Sequence, residues 1–226
     1  MRDEYKNIDG VFINPDNLFV EWGDLMHVHN SNFKFAYNNL EFDYFVLHAS
    51  NDLYVKYGVI DHFKKYKNGI FQNSLERVEE PTRSNILEIY KQDKALMNMM
   101  NYLNLKDLCF SWPEGCFFER KVFKQMIDVI DKFYVFGEGF KIAREESYYS
   151  TIVGAFVDKI NTKSIVELKS CSRQNVEISK QYIDEVTSPE YQFRYYYEER
   201  TSIYAVKGFK RIYNDSAREY IRNLNS

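Results

Sequence analysis

The chain has 226 residues, 45% of them hydrophobic and 28% charged, with a net charge of −3. That length supports a sizeable core, and the absence of a linker or repeat favours one domain over residues 1–226. The weak negative charge excludes a basic footprint for nucleic acid, no apolar run approaches the roughly 18 residues of a membrane span, and no basic-then-apolar leader follows Met1.

Gly10-Val-Phe-Ile-Asn14 reads as a short strand ending at Pro15. A helix is expected from Asp24, its cap, to about Asn39. Asp43-Tyr-Phe-Val-Leu-His48 has the continuous apolar pattern of a strand buried on both faces, and it stops at the polar turn Ala49-Ser50-Asn51-Asp52. Strand, helix, strand in this order predicts a βαβ unit, with ligands expected beyond the carboxyl end of its second strand. A short basic helix follows from Gly58 to about Lys67. Residues 69–83 look irregular, with acids at Glu76, Glu79 and Glu80. One longer helix is expected from Asn85 to about Asn104, its stripe running through Ile86, Ile89 or Tyr90, Leu96, Met100 and Leu103.

Residues 108–113 and 115–118 read as two extended pieces around a turn. Glu119–Lys132 reads as an amphipathic helix, a Glu145–Lys159 helix follows the Gly137/Gly139 loop, and residues 161–189 carry little pattern. A last strand is expected at Ile203–Lys207 and a closing helix at Asp215–Leu224, capped near Asn214. Together these predict a mixed α/β sheet flanked by helices.

Aromatics are unusually many, with 19 Tyr and 18 Phe. A packed Phe/Tyr core explains them better than carbohydrate stacking does, although both remain open. Cys109, Cys116 and Cys171 lack metal-ligand spacing and suit buried free thiols in a reducing cytoplasm. His27 and His29 stand at i,i+2, which on a helix sends them to different faces, so no metal is expected there.

The pair Glu145-Glu146 opens an apolar-periodic helix. Acids in a first turn complement the helix dipole, which is reason enough for their presence. A carboxylate facing cations across a pocket also has the makings of a base with a clamp for a departing diphosphate. Asp52 and Lys56 fall at a sheet end, where either a substrate-facing role or a local ion pair fits. Trp112 before Pro113 either stacks on a sugar or anchors its turn.

Four blocks resemble the core-2/I-branching N-acetylglucosaminyltransferase family and its bacterial polysaccharide relatives. Val11-Phe12 with Glu21-Trp22-Gly23 looks like that family's strand and helix start. Residues 43–56 resemble its Y-x-x-x-L-x-G-x-D-x-P-x-K block, keeping Asp52 and Lys56 without the glycine and proline. Gly115-Cys-Phe-Phe-Glu-Arg-Lys-Val-Phe123 is similar to its G-S-A-Y-x-x-x-S-R-x-Y-V turn. Glu145-Glu-Ser-Tyr-Tyr-Ser-Thr-Ile152 matches its D-E-x-x-W-A-T-I block without a gap. In order, the four span roughly residues 11–211.

The resemblance implies a fold of the GT-A type and an inverting, metal-independent glycosyltransferase. Such an enzyme would move a sugar, N-acetylglucosamine first among candidates, from a UDP-type nucleotide-sugar to a glycan hydroxyl in surface polysaccharide synthesis. It puts the general base on Glu146, with Glu145 in support. The diphosphate clamp falls on Arg200 and Lys207, with Arg211 and Lys210 nearby, and Asp52, Lys56 and Trp112 lie toward the acceptor. No cofactor beyond the nucleotide-sugar is expected. The expected acceptor is a glycan or lipid-linked oligosaccharide, met in the cytoplasm or at the inner face of the membrane. The family opens with a further strand–helix–strand that holds the base of the nucleotide. Only about ten residues precede the matching strand here, so that unit is expected to be missing. A non-catalytic, glycan-binding or partner-dependent remnant is the alternative expectation.

Overall fold

The computed structural model describes residues 8–20, 24–70, 73–74, 81–137, 143–158, 165–167, 178–188 and 203–224. Eight helices and seven short strands alternate irregularly among them: α1 Met26–Asn39, β1 Tyr44–Val46, β2 Asp52–Tyr54, α2 Val59–Tyr66, β3 Asn73–Ser74, α3 Pro81–Lys91, α4 Lys94–Tyr102, β4 Cys109–Phe110, β5 Phe117–Glu119, α5 Arg120–Phe133, α6 Glu145–Ile152, β6 Val166–Glu167, α7 Lys180–Thr187, β7 Ala205–Lys207 and α8 Ser216–Leu224. The class is mixed α/β, with small sheets and flanking helices.

The strands form three patches. β1 pairs with β5 and β3 with β4, both antiparallel, while β7 lies between antiparallel β2 and parallel β6. Backbone bonds tie the first patch to the third. Leu47 N–H donates to the Cys116 carbonyl at 2.9 Å, Ile165 N–H to Gly115 at 3.2 Å, and Tyr204 N–H to Ile165 at 3.0 Å. The loop after β1, the 111–116 turn and β7 therefore meet in one place.

One amphipathic signal holds well. α5 buries Val122, Phe123, Met126, Ile127 and Ile130, one side of a 3.6-residue repeat. Phe123 receives Phe33 edge-on at 4.7 Å, with Phe45 and Phe118 stacked at 4.9 and 5.1 Å. Much of the aromatic surplus thus packs the main core between α1, α4, α5 and α6. A second cluster joins α7, α8 and Val206 of β7, and a third groups Phe63, Phe117, Ile165 and Ala205.

Several expectations need correcting. Residues 11–20 form no strand, and Val11 and Phe12 are exposed, so the predicted βαβ unit does not form. β1 is antiparallel to β5 and only half-buried. The long helix over 85–104 is two helices. Asp93 breaks it because its carboxylate accepts the amides of Ala95 and Leu96, which caps α4. Asp24 does not cap α1, since the N-cap is Leu25 and no side chain serves it. The cap of α8 is Asp215, whose carboxylate accepts the amides of Ala217 and Arg218. The Glu145 helix ends at Ile152 in a short 3-10 turn. The weakly patterned region contains α7, capped by Ser179. Cys109 and Cys116 are buried free thiols, and Cys171 lies outside the described residues, as do 21–23, Glu76, Glu79, Glu80 and Arg200.

Candidate functional site

α6 carries the two acids, and its sequence is almost wholly buried: Glu145 and every residue from Ser147 to Ile152 is enclosed. The helix is laid against β4 by side-chain and backbone bonds. Ser111 N–H donates to the Glu146 carbonyl at 2.7 Å, while the Thr151 hydroxyl accepts from Cys109 N–H at 3.0 Å and donates to the Cys109 carbonyl at 3.2 Å.

Arg144, immediately before α6, is the residue that sequence reasoning missed. It is wholly buried and stands 3.0 Å from Asp93 and 3.6 Å from Asp24, while donating to the Val135 carbonyl at 2.7 Å. Tyr148 O–H donates to Asp93 and Tyr134 O–H to Asp24. A buried guanidinium with two carboxylates is stable only as a complete set, because each charge has lost its water. This set fixes where α6 begins.

The two acids then diverge. Glu145 Oε2 accepts the Leu25 amide at 3.3 Å, so it supports the start of α1, and burial raises its affinity for a proton. Glu146 makes no such bond. Burial, then the neighbouring Glu145 and Glu114, push its carboxyl up to about 8, while Lys207 pulls in the opposite direction. A carboxyl poised near neutrality within the electrostatic reach of a cation is suited to proton transfer.

Lys207 ends β7 and is ion-paired with Glu114 in the turn after Pro113. That turn is set by Gly115 at φ +78°, a backbone state that favours glycine, and by Gly115 N–H donating to Leu47 at 2.7 Å. Opposite Lys207 in register stands Asp52. Its side chain is fully buried; Oδ2 accepts the Ala49 amide at 2.8 Å and lies 3.3 Å from His48 Nδ1, while Oδ1 has no hydrogen-bond partner among the described residues. Tyr54 O–H completes a chain to His48 Nε2 at 2.9 Å. Arg211 donates to Ser50 Oγ at 2.7 Å, on the same loop.

Glu146, Glu145, Glu114 and Lys207 are thus electrically coupled, with Asp52 and Arg211 on the strand and loop beside them. Two expected members stand apart. Lys56 donates to the Thr187 carbonyl at 3.2 Å and faces the Tyr204 ring, so it braces α7. Trp112 accepts at its carbonyl from Cys116 Sγ–H at 3.2 Å and packs with the Phe63–Phe117 cluster, an anchoring position. Arg200 lies outside the described residues. A cavity of about 550 Å³ lies on another face, and neither Glu146 nor Lys207 lines it. Among the described residues no group of three or more His, Cys, Asp or Glu is arranged to hold a metal, and no helix is long and apolar enough to cross a membrane.

Comparison with known proteins gives no match: no family model, no curated protein and no solved structure aligns with this chain.

Proposed function

We propose that this chain is an inverting glycosyltransferase of GT-A type, using Glu146 as base and cationic side chains in place of a metal. The observation that carries the reading is that α6 and β7 meet at the 111–116 turn, where Ser111 N–H holds the Glu146 carbonyl and Glu114 holds Lys207. In the reaction, Glu146 in its ionised form, which gains population as pH approaches about 8, takes the proton of an acceptor hydroxyl as its oxygen attacks the anomeric carbon. The bond from that carbon to the diphosphate oxygen breaks, and its electron pair leaves with the diphosphate. Lys207, Arg211 and Arg200 neutralise the departing oxygens. N-acetylglucosamine from a UDP-sugar, and a glycan or lipid-linked acceptor, are the substrates that the motif resemblance favours.

One observation favours a second reading, a non-catalytic glycan-binding or partner-dependent module: Lys207 is already satisfied by Glu114. For transfer, the donor must draw it away. Calorimetry with UDP and UDP-N-acetylglucosamine separates the two. Binding that weakens on Lys207→Ala, together with transfer lost in Glu146→Gln while donor binding persists, supports the enzyme. No heat with any nucleotide-sugar overturns it.

A further inference from the structure

The cavity of about 550 Å³ lies between the irregular segment 14–18, one side of α1 and the end of α5. Its volume is in the range of small-molecule sites. Its lining is charged in a way that excludes anions. The ammonium of Lys34 is held by Asp131 at 2.5 Å, and Asp16 accepts the Ser31 hydroxyl at 2.6 Å. Two carboxylates against one paired cation leave this wall with no claim on a phosphate or an acid.

What the cavity offers instead is amides beside rings. Asn30, buried, uses its carbonyl oxygen to accept the Tyr149 hydroxyl at 3.4 Å, which leaves its NH2 as a donor. The Asn38 amide, on the same side of α1, is exposed and makes no hydrogen bond among the described residues. Phe35 and Phe136 add apolar faces. Phe136 is 42% exposed, and its ring lies 3.9 Å from the His27 ring, tilted by 38°, so it is backed by His27 while lining the cavity. Planar amides that offer donor and acceptor together, next to aromatic C–H faces, match the alternating hydroxyl and C–H surfaces of a pyranose.

The walls are also held in place before any ligand arrives. Asn14 donates to Ser31 at 2.7 Å and to Asn32 at 3.1 Å, and His27 Nε2 lies 2.6 Å from the Phe19 carbonyl. Little ordering is left for binding to accomplish.

We infer that this cavity is a binding site for a neutral saccharide, separate from the Glu146 cluster and independent of whether that cluster is catalytic. The test is saturation-transfer NMR with methyl glycosides of glucose, galactose, mannose and N-acetylglucosamine, set against glucuronate, inorganic phosphate and uridine. At least one neutral glycoside binds, with Kd on the order of 1 mM. Asn38→Ala weakens it by about fivefold to tenfold through loss of hydrogen bonds and leaves the melting temperature unchanged; Phe136→Ala weakens it as well and, since it also removes the packing on His27, is measured well below its own melting temperature. Silence from every neutral glycoside up to about 50 mM overturns the inference. So does binding that neither variant alters, or a preference for glucuronate, phosphate or uridine that these same variants weaken. Nucleotide binding that both variants leave intact belongs to the Glu146 cluster, and failure of the transferase reading shows in UDP calorimetry with the Lys207 variant.

Discussion

Glu146→Gln tests the state of the central carboxyl without reference to any substrate. In the folded chain the group holds its proton up to about 8, against 4.5 when unfolded. Below 4.5 both states are protonated and the burial carries no penalty. Between those values the folded chain keeps a proton that the unfolded chain releases, so stability falls as pH rises, by up to about 1.4 kcal/mol per pH unit. Above about 8 both states are ionised and the loss is complete. The full interval corresponds to a ceiling of about 5 kcal/mol. Because the side chain is only partly buried, solvent screens the interaction, and about 2 kcal/mol is the expected loss. Glutamine has the shape of the protonated acid and does not titrate. Urea unfolding of wild type and variant, at steps from about pH 5 to 9, should give a stability difference near zero at the acid end. The difference should grow in the variant's favour and level off beyond about 8. A difference curve that stays flat through this range would refute the account of Glu146 as a carboxyl held neutral by burial and neighbouring acids.

Arg144→Met strands Asp24 and Asp93 without their cation, and calorimetry should show a loss of about 3–5 kcal/mol, lowering Tm by about 6–20 °C. A loss below about 1 kcal/mol would mean that the guanidinium is not compensating those acids. Lys207→Met removes the charge that opposes Glu145 and Glu114, so the Glu146 carboxyl titration followed by NMR should move upward; an unmoved midpoint would uncouple α6 from β7.

Periodicity made α5 legible, because it buries residues at a 3.6-residue repeat. The break between α3 and α4 was also written in the chain, since Asp93 is a capping residue, but the apolar stripe on either side outweighed it. Residues 10–14 failed for a different reason. Val11 and Phe12 have strand propensity, yet among the described residues no strand pairs with them, and such preference is a weak guide without a partner. Of the site, Glu146 and Lys207 could be singled out as residue types with a plausible purpose. Glu114, which holds Lys207, carried no signal beyond its place before a glycine. Arg144 carried none at all, because arginine is rarely enclosed and only the fold supplies the two acids that make its burial tolerable.

The stitching of α6 to β4 decides which part of the centre is able to yield. With Ser111 gripping the backbone of Glu146 and Thr151 straddling Cys109, helix and strand travel as one plank. The backbone beneath Glu146 is therefore fixed, and on the transferase reading proposed above an incoming donor is accommodated from the opposite bank, where the Glu114–Gly115 bend releases or retains Lys207.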